Sequence, residues 1–422
     1  MRLGWAAASR AALISLLPVV CGLYAAATFF GGSLIPWRPT MVDLDVYRRA
    51  GRLLLEGGDI YNLPGQLPFL YPPFAGLLAV PLALLPSALV QIAWTTAGVL
   101  ALLAVLHRFG LRGWVLSLVG SATVVLVGSV TETLAFGQLG IFLVALVLLD
   151  LTPGPRVLKG SRLLPQGTLT ALATAIKLTP GIFLLYLIVT GRRRAWITTV
   201  VTGLVVTLVS AVVVPSASIT FWGRLAHGDT GLGHSIIYYT NQSVMADVVR
   251  IFGLGRDAAL VGLVLSALVA ALGVWAAAAW DRLDQVRWAV SLCGVAGLLA
   301  SPVSWLHHFV WIVPLGLCLL QGTLLPAENA DDETAAPLAL PTWFQVLTWL
   351  FVGWVVVSPV RRLPNGADVE LTWNWHQQAV ASVTAVLGIA LLVAGGLVAR
   401  RLRQVPRTAR ERDAVPASPA QG

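Results

Sequence analysis

The sequence predicts an all-α polytopic membrane protein, and three observations lead to this fold class. Hydrophobic residues make up 57% of the 422 residues and charged residues only 11%, whereas soluble domains carry roughly a quarter charged residues. The mean hydropathy is +0.81. The apolar residues come in runs of about twenty, the length that crosses the hydrocarbon core of a bilayer as a helix. Helices are expected because every backbone polar group in lipid must be paired within its own segment.

The net charge of +9 does not indicate nucleic-acid binding. The basic residues lie in short loops and in the C-terminal tail, where they set the orientation of membrane spans. Cys21, Cys293 and Cys318 lie inside apolar runs at no metal-ligand spacing. We therefore expect no disulfide framework and no metal site.

Ten apolar segments predict transmembrane spans. They lie at residues 11–30, 74–106, 114–131, 138–151, 196–214, 258–280, 288–304, 309–325, 342–359 and 379–399. The first follows Arg2 and Arg10 and is about twenty residues long, so we interpret it as an uncleaved span rather than a signal peptide. The second contains Pro81 and Pro86, which predict a kink or a short preceding half-helix.

The remaining apolar segment, 167–190, predicts a re-entrant hairpin. A single span here would place Arg192, Arg193 and Arg194 outside, against the positive-inside rule. Pro180 also disfavours a helical conformation of the residue before it. Two half-helices that enter and leave on the cytoplasmic side satisfy both constraints.

With the N-terminus inside, this topology places 18 basic residues inside and 9 outside, in agreement with the positive-inside rule. It also brings several polar segments to the same external side. These are Asp43 with Asp45, the loop 215–257, His307 with His308, and Trp373 to His376. We expect one transmembrane domain over residues 1–399, with a first external loop at 31–73 that contains an interfacial helix. The basic tail 400–422 has no apolar period and is expected to be disordered.

The first external loop carries two carboxylates, Asp43 and Asp45, at the start of a short amphipathic segment. Arg48 and Arg49 lie on its polar faces, and such a pattern is typical of a helix in the membrane interface. Either acid could act as a general base that removes a proton from an attacking hydroxyl. Asp43 could instead be the N-cap of the helix, and Asp45 could serve only to solvate it.

His307 and His308 follow the sequence Ser-Pro-Val-Ser-Trp-Leu, where one span ends and the next begins. Adjacent histidines on a helix point about 100° apart, so a shared metal ion is disfavoured. We expect them to hydrogen-bond a phosphate or a sugar, or to orient the acid. The alternative is an anchoring role at the membrane interface.

Lys177 is the only lysine within an apolar run, and a cation in the membrane is costly unless it is paired. At the tip of the hairpin it would meet the second half-helix, with Thr179 as its cap and Pro180 in its first turn. This arrangement suits a phosphate. The alternative is a lysine that extends towards the cytoplasmic surface.

The segment 238–243 offers hydroxyls and amides, among them Asn241 and Gln242, that suit sugar recognition. It could equally be an ordinary interfacial loop. The chain contains no Walker-type glycine loop and no dinucleotide fingerprint. We therefore expect no nucleotide cofactor, and any activated donor must dissolve in the bilayer.

Four motifs together resemble bacterial glycosyltransferase family 87, from about residue 41 to residue 310. They are the acidic loop followed by Leu-Pro-Phe-Leu-Tyr-Pro-Pro-Phe, with Tyr71, then Ala-Thr-Ala-Ile-Lys-Leu-Thr-Pro at 173–180, Tyr-Thr-Asn-Gln-Ser at 239–243, and Ser-Pro-Val-Ser-Trp-Leu-His-His at 301–308. The combination is more specific than any one motif. Outside this range the chain resembles the family only in hydropathy.

The resemblance implies the membrane-embedded C-type glycosyltransferase (GT-C) fold. It also implies an inverting α-(1→2)-mannosyltransferase that uses polyprenyl-phosphate-mannose in the plasma membrane, with its site facing outward. The acid of the family's first-loop motif falls on Asp43, which is therefore preferred as the base. The acceptor stays open between phosphatidylinositol mannosides and lipomannan or lipoarabinomannan.

We accordingly expect Asp43 to be catalytic, and a set of other polar residues to bind substrate. The expected substrate-binding residues are Asp45, Arg48, Arg49, Tyr71, Lys177, Asn241, Gln242, His307 and His308. Two alternatives remain: a transferase of another polyprenyl-phosphate sugar, such as arabinose or glucose, and a membrane transporter or flippase. The sequence does not indicate an oligomeric state.

Overall fold

A computed structural model describes residues 2–404, except residues 64, 66, 156–161, 230, 232 and 326–337. The described chain is helical throughout, and its only extended pairings are three isolated β-bridges. The prediction of an all-α protein is thus confirmed. Most of the predicted C-terminal tail, from residue 405 onward, lies outside the described residues.

The α-helices of the described chain are numbered in order. They are α1 Arg2–Thr28, α2 Val42–Leu55, α3 Pro73–Leu84, α4 Ser87–Arg108, α5 Gly113–Leu126, α6 Gly128–Phe136, α7 Gly140–Leu151, α8 Thr168–Ile176, α9 Ile182–Val189, α10 Arg193–Val213, α11 Pro215–Ala226, α12 Val244–Phe252, α13 Arg256–Asp281, α14 Val286–Ala300, α15 Ile312–Leu320, α16 Thr342–Val357 and α17 Trp375–Gln404. Short 3-10 helices precede α9 at Thr179–Gly181 and α15 at Leu306–Trp311.

Among the described residues, six helices are long and apolar enough to cross a membrane: α1, α4, α10, α13, α16 continued to Arg362, and α17. A seventh span results if α5 and α6 count together, although the chain bends by 78° between them. Several predicted spans correspond to shorter apolar helices. The 12 residues of α7, for example, extend about 18 Å, which is less than the hydrocarbon core. The protein is therefore a polytopic membrane protein, and the count of ten spans stays a prediction.

Two of the predicted interruptions are confirmed. The second apolar segment divides into α3 and α4, which meet at Leu85 and Pro86. The segment 167–190 divides into α8 and α9, with a non-helical Lys177 after α8. Both half-helices pack against α10. The segment predicted as a span at 114–131 contains a break that was not predicted, because the helix ends at Leu126 and resumes at Gly128 in a new direction.

The centre of the molecule is α14, which is buried along nearly its whole length. It packs mainly against α13, and a stack formed by Trp280, Trp288 and Phe344 lies on this side of it. The chain leaves α14 at Ser301 and forms the 3-10 helix Leu306–Trp311, which packs against α6 and α7. This path of the chain places His307 and His308 beside α6, the helix that also contacts α2 of the first external loop.

Candidate active site

Helix α2 places Asp43 in its first turn, at an inward-facing position. The residue before the helix, Met41, has a left-handed conformation (φ 33°), and its amide donates to the Ala135 carbonyl of α6. This fixes the start of α2 against the core, and the buried Leu44 and Tyr47 then hold one face of the helix down. Asp43 is not the N-cap, so the capping role considered above is wrong.

The Asp43 carboxylate lies in a polar cluster formed by three other side chains. Gln138, which follows α6, donates a hydrogen bond to it. The hydroxyls of Tyr47 and Tyr71 are 2.9 Å apart, and both lie within 3.3 Å of the Gln138 Oε1 atom. Burial raises the pKa of Asp43 to about 6, against opposing effects of the Gln138 hydrogen bond and of the Lys177 charge. A carboxylate with this pKa is still ionised at neutral pH, and it binds a proton more readily than an ordinary aspartate does.

Lys177 faces this cluster from the break between α8 and α9. Its backbone is extended (φ −148°, ψ 132°), so its side chain leaves the helical path. The ammonium lies 5.4 Å from the centre of the Tyr71 ring, and its charge acts on Asp43 without a hydrogen bond between them. Pro180 lies in the first turn of the following helix as predicted, but Thr179 forms no side-chain cap.

His308 completes the environment of Lys177. Its Nε2 atom lies 2.9 Å from the Lys177 Nζ atom, and its Nδ1 atom accepts a hydrogen bond from the Trp305 amide (3.2 Å). Because Nδ1 is an acceptor, Nε2 is the protonated nitrogen of a neutral ring. Two potential donors therefore face each other. Lys177 consequently points to the site rather than to the cytoplasmic surface.

His307 lies next to this pair with its ring perpendicular to that of His308, at a centroid distance of 4.6 Å. Its carbonyl oxygen accepts a hydrogen bond from Thr133 (2.7 Å), and its ring contacts Phe136. Only 8% of His307 is exposed, so it is not an interfacial anchor. Its Nε2 atom is buried without a hydrogen-bond partner in the described protein. No group of three metal-ligating side chains occurs in the described ranges.

A small, partly open pocket adjoins the Lys177–His308 pair. Apart from these two residues and Thr179, it is lined by apolar groups. They are Gly140, Leu143, Val144, Pro180, Ile182, Phe183, Gly294, Leu298 and Trp311. An apolar cavity with cationic and imidazole groups in its wall suits an amphipathic ligand with an anionic head.

Three of the predicted substrate-binding residues point away from this cluster. Asp45 is exposed and forms an ion pair with Arg49 one turn later (2.9 Å). Arg48 donates to the carbonyls of Leu82 and Leu85 at the end of α3. The guanidinium groups are thus engaged in stabilising α2 and its contact with α3, and the structure gives no support to their predicted substrate contacts.

Asn241 and Gln242 are fully buried, and their amides bond within the protein. Asn241 donates to the Pro302 carbonyl and accepts from the Ser304 amide (2.9 Å). Gln242 accepts from Thr384 (2.6 Å). These contacts fix the segment that leads to the histidines, so the geometry supports a structural role. Sugar binding by either residue stays a prediction.

The sequence reasoning did not identify Gln138, Tyr47, Thr133 or the ion pair between Glu132 and Arg361. The available signal was the segment 130–138, which places three polar side chains in succession, Thr131 to Thr133, and then Gln138 between two apolar runs. Its helix α6 carries the groups that contact both the first external loop and the histidine segment. The predicted spans end at 131 and resume at 138, so most of this segment was interpreted as a connection between spans and assigned no role.

The region of the chain that carries most of these residues is similar to known proteins. The model of glycosyltransferase family 87 matches residues 69–302. This match includes Tyr71, Gln138 and Lys177, but neither Asp43 nor the histidines. No solved structure matches the chain significantly.

Three curated relatives extend the similarity over most of the chain. The chain is 29% identical to the polyprenol-phosphate-mannose-dependent alpha-(1-2)-phosphatidylinositol mannoside mannosyltransferase of Mycolicibacterium smegmatis, over 88% of either chain. It is 28% identical to the protein of that name from Mycobacterium tuberculosis, over 97% of this chain and 95% of the relative. It is 32% identical to a phosphatidylinositol pentamannoside mannosyltransferase of Mycobacterium tuberculosis, over 83% and 78%.

Proposed function

We propose that this chain, which belongs to glycosyltransferase family 87, transfers mannose from polyprenyl-phosphate-mannose to a phosphatidylinositol mannoside. The new linkage is α-(1→2). The names of the relatives, each a polyprenol-phosphate-mannose-dependent alpha-(1-2) mannosyltransferase, support the donor, the acceptor and the linkage. A hexosyl transfer with a lipid-linked donor also agrees with the absence of nucleotide-binding motifs from the sequence.

One observation carries the mechanism: Asp43 lies within reach of the Lys177 charge without a direct bond between the carboxylate and the ammonium, and Lys177 contacts His308. Transfer by single displacement needs a base on one side of the reacting carbon and a leaving-group stabiliser on the other. Asp43 accepts the proton of the acceptor hydroxyl while the hydroxyl oxygen attacks C1 of the mannosyl group. The bond between C1 and the phosphate oxygen breaks, and its electron pair leaves with polyprenyl phosphate. Attack from the opposite face converts a β-linked donor into an α-linked product.

The Lys177–His308 contact explains why this site suits the leaving phosphate. The Lys177 Nζ atom and the His308 Nε2 atom lie 2.9 Å apart, and both are potential donors. A phosphate oxygen can accept a hydrogen bond from each of them, and charge-assisted bonds of this type are among the strongest in proteins. The negative charge that develops on the leaving group is then stabilised at the position where it appears.

The apolar cavity next to this pair suits the lipid part of the donor. Its walls are aliphatic and aromatic apart from Lys177, Thr179 and His308. An isoprenoid chain gains from burial in such walls, and its phosphate then meets the two nitrogen atoms. No cofactor is required by this mechanism.

The finer architecture belongs to the same proposal. We infer the GT-C fold with ten spans and one re-entrant hairpin, set in the plasma membrane with the site on the external side. The positive-inside distribution of basic residues supports this orientation. The separation of α8 from α9 at Lys177 supports the hairpin.

The base assignment is tested by two matched variants of α2. Purified protein in lipid nanodiscs is given radiolabelled polyprenyl-phosphate-mannose and a phosphatidylinositol mannoside. Asp43→Asn keeps the shape of the side chain and removes its basicity, so we expect transfer to fall by about 10²–10⁴-fold, the usual contribution of a general base. Asp45→Asn, two residues away and exposed, is the control and should change transfer by less than about twofold.

Near wild-type transfer by Asp43→Asn would remove Asp43 as the base. Uptake of the labelled lipid without any mannosylated product would instead indicate a transporter. Analysis of the product by mass spectrometry and linkage chemistry identifies the sugar and the bond formed. A product other than an α-(1→2)-mannoside would contradict the proposed reaction.

A further inference from the structure

Gln138 lies in the connection between α6 and α7, and it is almost completely buried (4% exposed). It follows Gly137, which ends α6 in a left-handed conformation (φ 71°). The backbone amide of Gln138 donates to the Thr133 carbonyl (2.8 Å). The backbone around the side chain is thus fixed by the end of α6.

The side-chain amide of Gln138 has a defined orientation. Its Oε1 atom is surrounded by the hydroxyls of Tyr47 (3.1 Å) and Tyr71 (3.3 Å) and by the Leu139 amide (3.3 Å). The two hydroxyls are also 2.9 Å apart, so one tyrosine can donate to the other while the second donates to Gln138. With its oxygen engaged in this way, the amide presents its NH₂ group to Asp43.

A rotation of this amide by 180° would be costly. It would bring Oε1 against the Asp43 carboxylate, and it would leave the tyrosine hydroxyls facing an NH₂ group. Buried polar groups that lose their partners cost free energy that water does not restore. The Tyr47–Tyr71 pair therefore determines which atom of Gln138 meets the carboxylate.

The polar groups around Asp43 come from four elements. Tyr47 lies on α2 itself, Tyr71 precedes α3, Gln138 precedes α7, and Lys177 follows α8. Asp45 on α2 points outward to Arg49. Of the groups that act on the Asp43 carboxylate, Gln138 forms the direct hydrogen bond and Lys177 acts through its charge at longer range.

We propose that Gln138 is a positioning residue of the transfer reaction: it holds the carboxylate of Asp43 in its reactive orientation, and the Tyr47–Tyr71 pair keeps its amide the correct way round. This inference rests on the proposed role of Asp43 as the base. Gln138 itself exchanges no proton with the substrate. It lets one oxygen of Asp43 accept the amide hydrogen while the other accepts the proton of the acceptor hydroxyl.

The experiment is a comparison of pH profiles of kcat/KM in nanodiscs. Asp43 must be ionised to act as a base, so activity falls at acidic pH with an apparent pKa near that of Asp43, which is about 6. Gln138→Leu removes the hydrogen bond to the ionised form, and we expect the acid limb to move up by on the order of one pH unit. Activity at neutral pH falls, and part of it returns at alkaline pH.

The control is Gln91→Leu, the same chemical change at an amide that binds Trp37 outside the site (2.9 Å). Its acid limb should coincide with that of the wild type. If Gln138→Leu does not fold, Tyr47→Phe provides the readout, because it removes one hydroxyl that orients the amide. It should move the acid limb in the same direction by a smaller amount.

A lower rate at every pH with an unmoved acid limb, in Gln138→Leu or, where that variant is unstable, in Tyr47→Phe, overturns the inference. Such a result would assign Gln138 a role in packing alone. The proposed function fails in a different way. It fails if Asp43→Asn remains active, whatever the profile of the Gln138 variant.

Discussion

Lys177 is the residue on which the donor side of the site depends. Its Nζ atom contacts the Nε2 atom of His308, and the ammonium also faces the Tyr71 ring. Lys177→Met keeps the length of the side chain and removes its charge. We expect the transfer rate to fall on the order of 10²–10³-fold, because one stabilising group for the leaving phosphate is lost. Steady-state and single-turnover rates with polyprenyl-phosphate-mannose measure this effect.

Arg49→Ala is the control variant for Lys177→Met, because it also removes a positive charge. Arg49 is a cation of the same loop region, but its guanidinium is paired with Asp45 at the surface. An exposed pair of this type contributes little, and we expect donor turnover to stay within about twofold of the wild type. If Arg49→Ala lost activity as Lys177→Met does, the phosphate would have to be assigned to the first-loop arginines.

Among single residues, the sequence identified those with unusual chemistry but did not identify the residues that hold them in position. Asp43 and Lys177 were identifiable because a carboxylate and a lysine are rare beside apolar runs. Gln138 was not, because a single amide within a predicted span is uninformative until its neighbours in space are known. Asn241 was assigned to sugar recognition from its polarity, although its amide bonds to the segment 302–304. Polarity alone does not reveal whether a side chain is already satisfied.

Among the elements, the contact between α2 and the end of α6 sets the position of the base. Gly137 has a left-handed conformation (φ 71°), and an added Cβ atom would lie 2.5 Å from the Leu44 Cβ atom. Gly137→Ala therefore strains the backbone by about 1–2 kcal/mol and pushes α2 outward. We expect a lower melting temperature and a loss of most transfer activity. Thermal unfolding and the transfer assay on the same preparation measure both effects.

The matched control is Gly203→Ala in α10. This glycine lies inside a helix, and no atom lies within 4 Å of an added Cβ. Alanine is the better helix former by about 1 kcal/mol, so stability should be unchanged or slightly higher and activity unaffected. Full activity of Gly137→Ala would mean that the α2–α6 contact tolerates displacement and does not fix the base.

The elements themselves were predicted with uneven success, for physical reasons. Proline and a polar interruption are local signals, so the breaks at Pro86 and Lys177 were predicted correctly. The 78° bend between α5 and α6 has no proline, and it lies within a segment that is apolar enough overall to be interpreted as one span. The bend becomes explicable from the tertiary structure. It turns α6 towards the 3-10 helix that carries the histidines.

Across the whole molecule, the polar segments that the positive-inside rule assigned to the external side contact one another. The segment 238–241 pairs with Trp305 and with Glu370, and Arg250 faces the Trp373 ring. Arg224 of α11 reaches the Tyr61 carbonyl of the first external loop (3.4 Å). The prediction that these segments share one end of the molecule is confirmed. It succeeded because each transmembrane helix carries the chain from one end to the other.

The opposite end carries its own set of polar contacts. Arg108, at the end of α4, donates to the Gly154 carbonyl, and Arg287, at the start of α14, donates to the Arg108 carbonyl. Asp150 near the end of α7 caps α8 through the amides of Gly167 and Thr170. Helices that leave the site end here, so this face is separated from Asp43 by the thickness of the helical core.

The two ends allow a direct test of membrane orientation. Glu56 is exposed just after α2, at the end that carries Asp43. Leu163 is 82% exposed, next to Arg162, which binds the Asp150 carbonyl at the opposite end. In spheroplasts, a membrane-impermeant maleimide should label Glu56→Cys directly and Leu163→Cys only after permeabilisation. The native Cys21, Cys293 and Cys318 are buried or half-buried, so the unmodified protein gives the background. The reverse labelling pattern would place Asp43 on the cytoplasmic side, and donor and acceptor would then have to meet the site there.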